Sequence, residues 1–257
     1  MRVPEQDVWL GGLRVFRHPS WPERIPGLAQ GITGRATNLD FSLPSGHQDA
    51  GDRLSPSASM ATESWRCLLK ATGMSAAARC RQVHGKGLVA QDGPLTAGVH
   101  VLGDADALVT GQSGILLAVT VADCVPVYLV DPGSRLIGLA HAGWRGTAAG
   151  VVEATLRALH DRGSDLSALF VHLGPAICEK CYEVGPEVIS ALGGSAEGPA
   201  HLDLRRHIAE AAVAAGVDRR RLSVSNRCTR CDLGAFYSYR GGDRAGRMCA
   251  YLGWPSS

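Results

Sequence analysis

The sequence predicts an α/β (α+β) protein, mixed sheets with helices packed outside them, folded as a single domain over residues 1–257. Three observations predict it. The chain has 257 residues, 45% of them hydrophobic and 19% charged, enough to bury a substantial core and far from a disordered composition. Short aliphatic and β-branched segments recur between glycine or proline turns, and helical patterns are interspersed among them. No stretch reads as an interdomain linker.

The elements follow in order. Polar and small residues from Ser42 to Ser59 predict a surface loop, and Ala61 to Ala71 a helix. Strands are predicted over Arg79 to Val83, Ala107 to Thr110, Ile115 to Val121, Val125 to Val130, Leu136 to Ala140 and Leu169 to Leu173. Thr147 to His160 places Val151, Val152, Thr155, Leu156 and Leu159 on one helical stripe, with Gly163 as its stop signal. Leu204 to Ala215 has the same spacing.

Charge and hydropathy exclude several function classes. A net charge of +2 gives no reason to expect a nucleic-acid or membrane partner. The segment from His201 to Ser257 holds ten arginines against five acidic residues, but aromatic side chains do not alternate with them along the segment as a stacking platform requires. The most apolar run, Ile115 to Val130, contains Asp123 and Pro126 and is shorter than a membrane helix. Met1 to Leu13 lacks a secretory pattern, so a cytoplasmic location is expected, where eight cysteines stay reduced as core residues, ligands or nucleophiles.

Three islands put a metal-capable or nucleophilic side chain at a strand edge beside glycine or proline: Arg81-Gln82-Val83-His84-Gly85, Ala122-Asp123-Cys124-Val125-Pro126 and His141-Ala142-Gly143-Trp144-Arg145-Gly146. Two imidazoles and a thiolate form a three-ligand zinc set with a fourth position open, and zinc brings the pKa of a bound water to about 7. Separations of 40 and 17 residues are not a short-range zinc motif, and each residue has an ordinary alternative as a core or surface side chain.

The wording around the islands resembles the multicopper polyphenol oxidase or laccase-like family, whose members are also described as purine nucleoside phosphorylases and peptidoglycan editing factors. The resemblance is carried by Gln82-Val83-His84-Gly85, Asp104-Ala105-Asp106-Ala107-Leu108-Val109-Thr110, Thr120 through Val127, and His141 through Thr147. Gly174-Pro175-Ala176-Ile177, Cys181 through Gly185, Cys228-Thr229, Phe236 through Arg240, and Gly246-Arg247 extend it. It implies a layered α/β/β/α sandwich and a zinc held by His84, Cys124 and His141. It also implies phosphorolysis of adenosine, inosine and methylthioadenosine, with adenosine deamination at the same site.

For deamination, Asp123 would move the proton as water attacks C6 of the purine; otherwise it satisfies backbone donors at a strand end. Phosphorolysis needs a cationic anchor for phosphate, and Arg145 lies where a strand gives way to a helix, with a surface ion pair as its alternative. Gln82 would meet a purine edge or cap a turn, and Arg247 is a further substrate candidate. Where the family often carries an arginine pair, Arg240 is followed by Gly241, and Gly31 to Leu43 matches the family's N-terminal pattern only loosely. The expected partners are thus a purine nucleoside and phosphate, with the chain a monomer or homodimer.

Two CxxC pairs stand apart, Cys178 with Cys181 and Cys228 with Cys231. They would form a closed zinc site if they met, but nothing in the sequence brings them together, and four unconnected thiols is the first reading.

Three rival functions remain. Copper oxidation needs clustered histidines, and none of the nine here sits in a His-x-His pair, so copper is not expected. A cysteine hydrolase would use Cys124 as a nucleophile activated by His141, the class to which peptidoglycan-precursor editing belongs. A binding module would hold the metal as a structural staple with no open position.

Overall fold

The computed structural model describes residues 1–36, 41 and 56–256. In chain order its elements are β1 (Arg2–Val3), β2 (Gln6–Leu10), β3 (Leu13–Arg17), α1 (Trp21–Arg24), β4 (Ala29–Thr33), α2 (Pro56–Thr72), β5 (Ala76–Arg81) and β6 (Leu88–Ala90). Then come β7 (Gly98–Asp104), β8 (Ala107–Thr110), β9 (Ile115–Val121), β10 (Val125–Asp131), β11 (Leu136–Ala142), α3 (Trp144–Ala149), α4 (Val151–His160) and β12 (Phe170–Leu173). The chain ends with β13 (Glu183–Val184), α5 (Pro186–Ala191), β14 (Ala200–His201), α6 (Leu204–Ala214), β15 (Leu222–Ser225) and β16 (Met248–Gly253).

Two seven-stranded mixed sheets face each other. One runs β1-β15-β12-β10-β11-β8-β6 and the other β2-β3-β4-β16-β9-β5-β7, while β13 and β14 form a small ribbon. Strand alternation builds the layers. On β11, Ile137 and Leu139 turn inward to meet Leu117, Val119, Ala250 and Leu252 of the opposite sheet. Ala140 and Ala142 turn outward to pack with Val152 and Leu156 of α4 and with Ile208 of α6. Trp65 and Leu68 of α2 cover the far face of the second sheet, against Leu116, Ala118 and Tyr251. The order is therefore helix, sheet, sheet, helix.

Glycine matters where α4 crosses β11. A Cβ on Gly138 would stand 3.0 Å from Thr155 Cγ2 and 3.3 Å from Leu159 Cδ1, so the bare backbone lets the helix sit directly on the strand.

Differences from the sequence reading have local causes. The helix expected over Thr147 to His160 is two helices, starting at Trp144 and broken at Gly150, whose φ of 87° is left-handed. The strand expected from Arg79 begins three residues earlier, because Ala76, Ala77 and Ala78 are buried between neighbouring strands. Most of the loop expected over Ser42 to Ser59 lies outside the described residues, and its last four positions open α2. Among the described residues no helix is long and apolar enough to cross a membrane.

Candidate active site

Strand pairing assembles the site. In the β10–β11 ladder Pro126 faces His141, which sets Cys124, just before β10, beside the end of β11. Ala107 of β8 faces Ala140 of β11, which brings Asp106 next to His141. His84 arrives on the turn after β5.

Asp106 is fully buried and organises this corner. Its Oδ1 lies 2.8 Å from His141 Nδ1 and accepts the backbone N–H of His84 at 3.0 Å. Its Oδ2 accepts the N–H groups of Val83 at 3.1 Å and Gly85 at 2.7 Å. One carboxylate thus fixes an imidazole and the turn that carries another. His84 and Asp123 both have left-handed backbones, with φ of 57° and 83°, a costly conformation outside glycine that concentrates at functional sites.

The donor atoms of His84, Cys124 and His141 all lie within 4.8 Å of one another. Tetrahedral zinc with sulfur at about 2.3 Å and nitrogen at about 2.0 Å would need edges of about 3.3 to 3.6 Å, so side-chain rotations that bring the donors together by at most about 1.5 Å close the set. Gly143 supplies the room: a Cβ there would lie 3.0 Å from Cys124 Sγ and 3.3 Å from His84 Nδ1. The residues fit a metal, and among the described residues this is one of two such groups.

Electrostatics favour the ligand form of the thiol. Burial alone would raise Cys124, but the imidazoles of His141 and His84 outweigh it and bring the thiol down to about 6. Burial likewise opposes the charged form of His141, and the Cys124 thiolate with Asp106 overcomes this, raising it to about 9. For Asp106, burial pushes the carboxyl up, while His141 and the N–H groups of Gly85 and Val83 pull it below its usual range.

The donors lie in the wall of a cavity of about 760 Å³. Among the described residues its charged lining is Arg79, Arg81, Arg145, Arg240 and Arg247 against a single carboxylate, Asp123. Arg145 is exposed, rests its guanidinium 4.3 Å from the Trp144 ring centre and makes no ion pair among the described residues. Arg247 donates to the Gly246 carbonyl at 2.8 Å. Asp123 accepts from the Thr229 hydroxyl at 2.6 Å and from the Arg240 N–H at 2.8 Å. Gln82 holds Thr120 like a strand neighbour: its Nε2 donates to the Thr120 carbonyl at 2.8 Å and its Oε1 accepts the Thr120 N–H at 2.8 Å.

Sequence reasoning assigned no role to Asp106, Arg79, Arg81 or Tyr182. Asp106 belongs to the Asp104-Ala105-Asp106-Ala107 motif, and its place one residue before a buried strand is the available signal. The reading of four unconnected thiols is corrected: Cys178, Cys181, Cys228 and Cys231 converge, with sulfurs within 4.8 Å of one another. An isolated parallel bridge between Ala176 and Cys228 docks the two CxxC turns together, a long-range pairing that local spacing does not reveal.

Two facing mixed sheets with an imidazole–thiolate donor set in a cavity at strand ends define the class: an α+β sandwich with a metal-capable site. Residues 43–255 match the family described as multi-copper polyphenol oxidoreductase laccase, and the chain belongs to that family. It is 38% identical over 200 residues to a protein named purine nucleoside phosphorylase YlmD from Geobacillus stearothermophilus, covering 68% of this chain and 70% of that one. A protein named adenosine deaminase RL5, from an unknown prokaryotic organism, is 37% identical over 147 residues, 52% of this chain; the match spans just over half, 56%, of RL5. The crystal structure of YlmD from Geobacillus stearothermophilus superposes with a TM-score of 0.78 at 29% identity, covering all of both chains.

Proposed function

We propose that this chain is an enzyme that cleaves purine nucleosides with phosphate and deaminates adenosine in the same cavity, using zinc held by His84, Cys124 and His141. The observation that carries the reading is the union, around one cavity, of a two-nitrogen, one-sulfur donor set with five arginines. Three protein donors leave a coordination position open for chemistry, and imidazole with thiolate suits zinc. An arginine-rich wall suits an oxyanion. The cavity volume falls in the range usual for small-molecule sites. The names of the relatives point to the same substrates.

In phosphorolysis an oxygen of hydrogen phosphate bonds to ribose C1′ as the bond from C1′ to the purine nitrogen breaks, and the proton of the phosphate passes to that nitrogen, leaving ribose 1-phosphate and the neutral purine base. Arg145 and Arg247 orient the phosphate, and their charge holds this anion against the neutral nucleoside. In deamination water adds at C6 and ammonia departs. Asp123, the one carboxylate lining the cavity among the described residues, carries the proton between them. Gln82 keeps one amide hydrogen beyond its bond to Thr120, available to a purine edge. Bound zinc supplies Lewis acidity and activation of water at neutral pH.

One observation favours a second reading. Cys124, His141 and Asp106 stand in the order of a nucleophile, a base and its orienting carboxylate, as a cysteine hydrolase requires. His84 has no task in that scheme, which is why it ranks second.

The test is to incubate the zinc-loaded protein with adenosine, with and without phosphate, and identify products. Free adenine formed only with phosphate establishes phosphorolysis, and inosine establishes deamination. Absence of both refutes the proposal. Loss of activity on chelation and its return with zinc separate the metal reading from the thiol one.

A further inference from the structure

The second cysteine cluster is a group separate from the donors of the cavity. Cys178 precedes and Cys181 ends a short 3-10 turn, Glu179–Cys181, and Cys228 precedes and Cys231 ends a second turn. Each CxxC is closed by its own backbone, with Cys181 N–H donating to the Cys178 carbonyl at 3.0 Å and Asp232 N–H to the Cys228 carbonyl at 3.2 Å. Thr229 N–H donates to the Ala176 carbonyl at 3.2 Å, so main-chain pairing presses the two turns together.

We propose that Cys178, Cys181, Cys228 and Cys231 hold a structural zinc ion in a closed tetrahedral site, independent of the His84 cluster. A tetrahedron with zinc–sulfur bonds of about 2.3 Å has edges of about 3.8 Å. The sulfurs of Cys178 and Cys231 are 4.0 Å apart, those of Cys181 and Cys231 are 3.5 Å apart, and all four fall within 4.8 Å of one another. The Cys228 sulfur accepts two backbone N–H groups, from Cys178 at 3.2 Å and Cys231 at 3.4 Å, a pattern that orients a coordinating sulfur.

Charge compensation is built in beside it. Four thiolates around a divalent ion carry a net negative charge. Arg205, 1% exposed, is close enough to interact electrostatically with Cys228 and Cys178, and Arg230 donates to the Cys181 carbonyl at 3.1 Å. Arg205 is anchored by the carbonyls of Ser225 and Arg227, which fixes its charge under the cluster. Cys231 is exposed and Cys228 buried, which leaves an entry path from one side.

The site would brace one wall of the cavity. Thr229, between the two ligands Cys228 and Cys231, holds Asp123, and Ile177, just before Cys178, donates its N–H to the Asp123 carbonyl at 3.1 Å. Tyr182, next after Cys181, lines the cavity.

The test is a zinc count with X-ray absorption on three proteins purified under reducing conditions: the wild type, Cys231→Ser and Cys124→Ser. The wild type should hold a zinc that a mild chelator leaves in place and a thiol-specific mercurial releases. Cys124→Ser should keep it, with a first shell of four sulfurs, whether or not the cavity donors bind metal. Cys231→Ser should lose it and melt at a lower temperature. If Cys231→Ser does not fold, the four-sulfur shell in Cys124→Ser decides alone. A Cys124→Ser protein without a four-sulfur zinc, or a Cys181–Cys231 disulfide in the reduced preparation, overturns the proposal.

Discussion

The carboxylate of Asp106 reaches His141 Nδ1 at 2.8 Å while gathering the N–H groups of Val83, His84 and Gly85, so a single buried side chain aligns both histidines of the donor set. It turns the far nitrogen of His141 toward Cys124, the arrangement of a carboxylate–histidine–metal relay.

Asp106→Asn keeps the shape and loses acceptor capacity, leaving a donor against donors. Zinc affinity at the His84 cluster should fall by about 10- to 100-fold. In the metal-free protein the imidazolium loses its partner, so the pH dependence of Cys124 alkylation should move up from about 6. Unchanged zinc binding in competition titrations would show that Asp106 does not orient the ligand.

Gly143→Ala introduces a Cβ at 3.0 Å from Cys124 Sγ and 3.3 Å from His84 Nδ1. The backbone at this position, with φ of −79°, accepts alanine without strain. Zinc affinity and kcat should therefore drop by about tenfold or more while unfolding free energy changes by less than about 1 kcal/mol. Equal losses of stability and activity would contradict this.

Arg145→Ala removes a cation that has no ion pair among the described residues, so little stability should be lost. A charged hydrogen bond to phosphate contributes about 1.5 to 3 kcal/mol, so KM for phosphate should rise roughly 10- to 100-fold. Deamination, which uses no phosphate, should change far less. A uniform loss in both reactions would remove Arg145 from phosphate binding.

His18 gives a pH dependence unrelated to the site. It is 2% exposed, and burial, followed by His172 and Arg24, lowers its pKa to about 3. The unfolded chain then takes up a proton near pH 6.5 that the native state refuses until about 3, so this contribution to stability is present above pH 6.5 and is lost as pH falls toward 3. At about 1.4 kcal/mol per unit, the loss is at most on the order of 5 kcal/mol. Denaturant titrations should show wild-type stability falling more steeply between these limits than that of His18→Gln. Parallel curves would refute it.

The middle of the fold was legible because β9 and β10 are buried on both faces and read as unbroken apolar runs. β16 has the same burial but is written in methionine, cysteine, alanine and glycine as well as tyrosine and leucine, with no alternation to mark it. The β2–β3 hairpin turns at Gly11-Gly12, a local signal whose flanking strands carry Asp7, Arg14 and Arg17 among their apolar residues. His84, Cys124 and His141 could be singled out because glycine or proline stands within two residues of each at a strand edge. For Asp106 the one local mark is its place just before a buried strand, and the roles of Asp106, Arg79 and Arg81 arise from which strands pair, a relationship between residues far apart in sequence.

The central claim is that two imidazoles and one thiolate share an ion with a position left for substrate. Anomalous diffraction at the zinc edge on crystals of the zinc-loaded protein tests it most directly. The account predicts a peak at about 2.0 Å from a nitrogen of His84 and of His141 and about 2.3 Å from Cys124 Sγ, with a fourth ligand that is not protein. No peak among these three residues, or an ion enclosed by four protein ligands there, would contradict it.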